Sequence, residues 1–512
     1  MVEPPWVADD DPSLTVVVWR RADQLASAFS ASASEAGGSF GSGAECVLQA
    51  SRGRAEATAD PLGYGSLFVW KESGVAAIST RIETLAQLAT GLGHQIHKSY
   101  AAAEGLTHIG FVMPGVTGYD EISGVDPDDS ATIEYGRLEL SPNPDAIQWD
   151  GSAAKPELDD LVEGAATALQ ESVEKAVGGP ADVVVDLTAG YDSHLILGAL
   201  VRAGIAQDLD FQTIGGERIH DATYASARAA QLGLRHRWGF PYETSSADLW
   251  TRFVDNARLT NGLNNPKDGL REDLGRLSQT RISGLYGELV RGWRTGVSRT
   301  VPAIGRVDRI ARAFGAGKAA LLRTDREGSI SQALTAEIID EGAPERSAWH
   351  STHRFYARAR LRSRAMRLDD VVPESRRYPL YTKELVEFGI AAMRHYPDAP
   401  FDDLLLQRLE PLLTEPPPTK HDGPADIARS TSPGGSKPES LMRGGIAGQR
   451  DERRDVFGRI ADTNSDAWEV VDRAAFRDAV QGYAELTQPQ LSLLHGAANS
   501  VLWMSGLVES ES

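Results

Sequence analysis

Residues 183–194, VVVDLTAGYDSH, set the strongest constraint on the fold. An apolar, β-branched run ends in a turn of small and polar residues, which passes directly into HLILGALVRAG. A strand apolar on both faces needs a cover on both sides, and such strands belong to parallel sheets. The flanking pattern agrees. Helical periodicity runs over 157–177 (ELDDLVEGAATALQESVEKAV). A strand is expected at 182–187, a helix at 193–204, a strand at 210–214 (DFQTI), a helix at 221–232 (DATYASARAAQL) and a further strand near 280–283. Strands alternating with helices predict an α/β parallel sheet. Asp221 is the expected N-cap of its helix, and Gly233 lies just past the end.

The rest of the chain differs from this middle region. At 512 residues it exceeds one hydrophobic core, so two or three domains are expected. LTVVVW at 14–19 reads as a strand, and the Ser, Gly and Ala-rich stretch 31–45 as a flexible loop. AECVLQAS, RAEATAD, GSLFVWKE and GVAAIST alternate with the period of short paired strands. The region up to about 140 therefore reads as β-rich with one helix near 81–104. A boundary falls after SPNPDAIQWDG, giving a first domain over 1–150 and a second over 151–512. From 305 onward the pattern is mostly helical, ending in QLSLLHGAANSVLWMSGLV. Residues 414–455, dense in Pro, Gly and Ser, read as a mobile loop.

Composition excludes some functions. The net charge of −20 argues against a general nucleic-acid or anionic-membrane binder, because phosphate contacts require clustered Lys and Arg. HRFYARARLRSRAMR at 353–367 is a basic island, read either as the lining of an acidic-substrate channel or as a solvated helix face. The single cysteine, Cys46, permits neither an intrachain disulfide nor a cysteine zinc site. It fits a reducing cytoplasm and reads as a small buried residue. MVEPPWVADDDP lacks the regions of a signal peptide, and no apolar run reaches membrane-spanning length.

The turn itself carries chemistry. Small residues after a parallel strand let backbone N–H groups approach an anion, and the next helix adds its partial positive charge. Thr188 and Ser193 supply hydroxyls. Asp192 would repel bare phosphate but suits Mg²⁺ placed between carboxylate and phosphate. The turn is not a Walker loop, since it lacks the lysine and the glycine spacing. It resembles the S-G-G-x-D-S pyrophosphate loop of the N-type ATP pyrophosphatases, with Thr188 and Ala189 in place of the first Ser and Gly, and Gly190, Asp192 and Ser193 matching.

Further blocks resemble one branch, the asparagine synthetase superfamily. FQTIGGERIHDATYASARAAQLGLRHR (211–237) is similar to its second strand and helix, with Ile214 and Gly215 where the family frames adenine. ISGLYGELVRGW (282–293) resembles the signature S-G-x-G-A-D-E-L-F-G-G-Y. Ser283 and Gly284 match, and Glu288 falls at the second Mg²⁺-binding Asp. RRYPLYTKELVEFG (376–389) resembles a third segment, and EPPPTKHDGP (415–424) resembles the one carrying a late catalytic lysine, which would be Lys420. DPLGYGSLFVW, VAAISTRIETL and GFVMPGVTGYDEI resemble the family's glutaminase-type (Ntn) domain and its exit. The block order matches across roughly residues 55–425.

The resemblance implies ATP and Mg²⁺ as cofactors. It assigns ATP and pyrophosphate binding to Leu187, Thr188, Gly190, Tyr191, Asp192, Ser193, Ile214, Gly215 and Gly284, the metal to Asp192 and Glu288, and catalysis to Lys420. Val2 stands where glutamine-using members carry the catalytic Cys, so a degenerate first domain is expected. That loss marks the β-lactam synthetases and lasso-peptide macrolactam synthetases. These activate a carboxylate as an acyl-adenylate and close it onto an amine of the same substrate.

The implied substrate is a small-molecule or peptide carboxylate, with a leader protease or precursor-peptide recognition protein as accompanying partner. Ammonia-dependent asparagine synthesis, glutamine supplied through a partner, and an inactive ATP-binding homologue are the alternatives. Leu285 stands where the family has Glu or Tyr. Tyr286 reads either as its catalytic substitute or as a packed aromatic. Glu288 reaches a metal only if the backbone retreats by about 1 Å. His220 reads as a helix-start contact, His236 as a structural histidine, and Arg377 falls near a family arginine.

Overall fold

The computed structural model describes residues 47–51, 54–60, 67–72, 74–79, 82–134, 136–149, 154–178, 182–214, 219–239, 248–263, 279–291, 321–323, 336, 348–362, 376–415 and 451–507. The expected strand at 14–19, the loop at 31–45, Cys46, Gly215, Lys420 and most of 414–455 lie outside these residues. The fold is mixed α/β, with two small antiparallel sheets, a parallel sheet and packed helices.

Seven short strands build the antiparallel part: β1 (Val47–Ser51), β2 (Arg54–Thr58), β3 (Phe68–Glu72), β4 (Val75–Ser79), β5 (Ile122–Gly124), β6 (Asp129–Glu134) and β7 (Arg137–Pro142). They form sheets of order β1-β2-β6-β7 and β4-β3-β5. Alternation sorts their side chains. Ala57, Ala131 and Ile133 of the first sheet meet Val69, Ala76 and Ile78 of the second. On its other face the second sheet turns Phe68, Trp70 and Ala77 toward helices α1 (Ile82–Gly91) and α2 (Tyr100–His108). The single helix expected near 81–104 is therefore two helices. Gly93 enters the left-handed region at φ 84°, and Ser99 caps α2 by accepting from the Ala102 N–H.

The parallel sheet follows the order β10-β9-β8-β11-β12, from β8 (Asp182–Asp186), β9 (Asp210–Ile214), β10 (Arg235–Gly239), β11 (Gln279–Ile282) and β12 (Arg376–Arg377). Every pairing is parallel, so strands after β8 run outward first to one side and then to the other. Helices α3 (Leu158–Val177), α4 (Tyr191–Arg202), α5 (Ile219–Gln231), α7 (Gly287–Arg291), α9 (Lys383–His395) and α10 (Phe401–Leu409) contribute to its core, whereas α6 (Leu249–Leu259) and α8 (Ala348–Phe355) belong to other clusters. One core joins Leu169 and Val173 of α3, Leu195 and Ile196 of α4, Val185, Phe211 and Ile282 of the strands, and Leu405 and Leu406 of α10. Two C-terminal helices, α11 (Arg473–Gln481) and α12 (Gln488–Met504), complete a second core with α6. No helix among the described residues is long and apolar enough to cross a membrane.

Three details differ from the sequence reading. Helix α5 starts at Ile219, so Asp221 sits inside its first turn instead of capping it; Gly233 does follow the helix, at φ 67°. Residues 451–462 are helical, which shortens the expected loop at its C-terminal side. Over its described part the arginine island is a solvated face only at Arg360, which is exposed; Arg354, Arg358 and Arg362 are held by other groups. After α8 the backbone widens into a π-helical segment at Tyr356–Leu361. Arg354 bonds Asp128 at 2.6 Å, Arg358 pairs with Asp126, and Arg362 donates to the Val125 carbonyl at 2.6 Å. The island thus fastens this helical segment to the β5–β6 connection.

Candidate functional site

The site begins where β8 ends. Leu187 is buried; its N–H donates to the Gln212 carbonyl at 2.8 Å, and its own carbonyl accepts from Thr213 Oγ1 at 2.5 Å. Because that hydroxyl proton is committed, His236 Nε2–H must donate to Thr213 Oγ1 at 2.9 Å, leaving Nδ1 to accept from Ser226 Oγ at 2.9 Å. Burial pushes the His236 pKa down to about 4, which keeps this neutral tautomer. His236 is thus a strut under the turn.

The turn folds on itself. The Gly190 N–H donates to Thr188 Oγ1 at 3.0 Å. Ser193 Oγ lies 2.8 Å from the Gly190 carbonyl, which accepts its proton, and 3.2 Å from the Thr188 N–H, which donates to it. Gly190 is the N-cap of α4, with extended backbone and no side-chain cap. The His194 Nδ1–H donates back to the Gly190 carbonyl at 2.9 Å, and its ring stands edge-on to Tyr224 of α5 at 5.3 Å. Burial lowers the His194 pKa; the Gly190 carbonyl opposes this and nearby Arg228 reinforces it.

A second segment, 283–291, closes on this turn from β11. The Ser283 N–H donates to the Arg377 carbonyl at 3.0 Å, and Ser283 Oγ accepts the Leu285 N–H at 3.3 Å. Two glycines permit the approach. A Cβ on Gly284 would lie 2.8 Å from Asp192 C and Ser193 N. One on Gly287 would lie 2.7 Å from Asp192 Cβ and overlap its carboxylate. Arg291 then grips Asp192 side-on, Nε to Oδ1 at 2.8 Å and Nη2 to Oδ2 at 3.3 Å. Burial works against the Arg291 charge, but the Asp192 hydrogen bond and the fields of Asp192, Glu288 and Asp402 outweigh it and raise its pKa.

The structure therefore brings Leu187, Thr188, Gly190, Tyr191, Asp192, Ser193 and Gly284 together, with Glu288 close enough to act on Arg291. Ile214 ends the neighbouring strand β9. Tyr286 is 1% exposed and enclosed by Tyr378 and Tyr381 at 5.0 and 5.4 Å, surroundings that fit a packed aromatic instead of a base facing a substrate. The Arg377 side chain bonds the Ala176 carbonyl at the end of α3. Among the described residues no three His, Cys, Asp or Glu are grouped to hold a metal. With both Asp192 oxygens on a guanidinium, the Asp192–Glu288 pair does not fit Mg²⁺ in this arrangement.

Sequence reasoning missed two arginines. Arg291 was visible only as a cation three residues past Glu288, the spacing of helix neighbours. Arg228 is fully buried on α5 and donates to Gln231 Oε1 at 2.7 Å and to the carbonyls of Leu412, at 2.8 Å, and Glu415. Its signal was a lone charge in the apolar face of SARAAQL. No protein-family model matches the chain, and no curated protein matches it in sequence.

Proposed function

We propose that this chain is an ATP-dependent carbon–nitrogen ligase of the asparagine synthetase type, with a degenerate glutaminase-like region followed by an ATP pyrophosphatase region. One observation carries the reading. The turn 187–193 and the segment 283–291 meet between β8 and β11, where the strand order reverses direction. In open parallel sheets that reversal is the place where ligands bind, outside the carboxyl ends of the strands. Backbone shape lends support. Tyr286 adopts φ 76°, a glycine-favouring conformation, at the position where the resembled signature carries its second glycine.

On this reading ATP is a substrate. Its phosphates face Thr188, Gly190, Tyr191, Ser193 and the start of α4, with Ile214 and Gly215 framing adenine. The substrate carboxylate attacks the α-phosphorus, and the bond to pyrophosphate breaks. An amine then attacks the acyl-adenylate, forming the amide and releasing AMP. Lys420 is the cation assigned to the developing charge. Both Asp192 oxygens stay on Arg291 in this scheme. The favoured substrate is a peptide or small-molecule carboxylate closing onto its own amine, in a cytoplasmic setting, with a leader protease or precursor-recognition protein as partner.

The test is product identity. Full-length protein given ATP and carboxylate-bearing peptides, or aspartate with ammonia, should release AMP and pyrophosphate. Release of ADP and phosphate, or no ATP binding at millimolar concentration, would overturn the reading. The Asp192–Arg291 pair favours a second reading, a nucleotide-binding homologue without turnover, which would bind ATP and release no AMP.

A further inference from the structure

Asp192 and Glu288 are the carboxylates that the resemblance assigns to a divalent cation, yet this chain already carries a cation there. Arg291 lies three residues past Glu288 on α7, and its Nε and Nη2 hold the two Asp192 oxygens at 2.8 and 3.3 Å. The two side chains keep only 23% and 20% of their exposure, so solvent screens the pair weakly. Gly287 presses on Asp192 from the α7 backbone, which closes a further approach to the carboxylate. Mg²⁺ demands near-octahedral oxygen ligands at about 2.0–2.1 Å. A metal on either Asp192 oxygen would sit against a guanidinium, two positive charges within a few ångströms.

We infer that Arg291 takes the place of the divalent cation at this switch point, so that the turn 187–193 binds a phosphate oxyanion beside a guanidinium and no metal bridges Asp192. This rests on the nucleotide reading above and deepens it. A guanidinium has five N–H donors in one plane. Asp192 uses the Nε–H and one Nη2–H, and the remaining donors suit phosphate oxygens. Asp192 becomes a positioning residue for Arg291, which removes the awkwardness of an acid beside phosphate. Arg291 thereby places on the chain the positive charge that a divalent cation would supply beside Asp192.

The experiment uses the full chain and two probes, ATP and inorganic pyrophosphate, with binding measured by calorimetry in Mg²⁺ and in EDTA. Wild-type affinity should change by less than about threefold between the two conditions. Arg291→Met should weaken binding more than about tenfold in EDTA, with Mg²⁺ restoring part of it, and Arg291→Lys should fall between. A loss of more than about tenfold in wild type on chelation, or unchanged affinity in Arg291→Met, overturns the inference. If neither probe binds wild type, the nucleotide reading fails, and Mn²⁺ titration followed by electron paramagnetic resonance still decides the substitution. Mn²⁺ bound by Arg291→Met but not by wild type supports it. Mn²⁺ bound by wild type and lost in Asp192→Asn overturns it. Circular dichroism checks folding, and should Arg291→Met not fold, the Lys variant carries both arms.

Discussion

Replacing Gly287 by Ala should break the contact between the two segments of the site, and the damage should depend on Asp192. The new Cβ would lie 2.7 Å from Asp192 Cβ, where ordinary contact begins near 3.4 Å. The α7 or α4 backbone must therefore shift by about 0.7 Å, since no side-chain rotation moves a Cβ. Overpacking of this kind costs about 1–3 kcal/mol. The same shift pulls Asp192 off Arg291, and a charged hydrogen bond is worth about 1.5–3 kcal/mol, discounted here for partial exposure. Gly287→Ala should thus cost about 2–4 kcal/mol in wild type. In an Asp192→Gly background both the overlap and the ion pair are gone. There the same substitution should cost less than about 1 kcal/mol, because Ala also favours the helix over Gly. The coupling, about 2 kcal/mol, is read from urea unfolding of the four proteins by tryptophan fluorescence. Additivity within about 0.5 kcal/mol would refute the packing of α7 on the start of α4.

Two further outcomes follow from buried groups. Arg228→Met should destabilise by about 2–4 kcal/mol in urea unfolding, because the Leu412 and Glu415 carbonyls and Gln231 lose buried donors that methionine cannot replace; an unchanged midpoint would sink the assignment of Arg228 as their anchor. His236, held at about 4 against an unfolded value of 6.5, binds its proton more readily when unfolded, so its stabilisation is full above pH 6.5 and is lost as pH falls toward 4. Between those limits wild type should lose up to about 3 kcal/mol more than His236→Gln, measured as unfolding free energy against pH; parallel profiles would refute the neutral strut.

The parallel-sheet strands and their helices were legible because each signal is local. VVVD, DFQTI and the apolar face of α3 carry their own period, and their observed bounds fall within two residues of those read from sequence. The two-helix break at Gly93 was not legible. Residues 92–99 separate the two helices and hold the left-handed Gly93, a bridge from Lys98 to Tyr119 and the Ser99 cap, which depend on tertiary partners rather than on a local period. Strand β12 has two residues, too short for any periodicity. The arginine island misled for another reason. Its arginines were counted together, whereas Arg354, Arg358 and Arg362 recur every four residues on one face and meet carboxylates and a carbonyl far away in sequence, while Arg360 between them stays exposed. At the site, Asp192 and Gly284 could be read from local motifs, but the Arg291 contact depends on which strands are neighbours, and no local pattern encodes that.

Tyr286 connects the packing to the chemistry. A tyrosine at φ 76° costs about 1–2 kcal/mol relative to glycine in the same conformation. That backbone shape delivers Gly287 and α7 onto Asp192. The cost is offset by burying the ring between Tyr378 and Tyr381, beside Leu289 and Val386. Tyr378, Tyr381 and Val386 come from the RRYPLYTKELVEFG block, so residues 376–389 hold 282–293 in place. Tyr286 is 1% exposed and packs as an aromatic, and Leu285 beside it has no proton to give. The described contribution of this block is electrostatic and steric: a guanidinium fixed by Asp192, and two glycines that let the start of α4 approach.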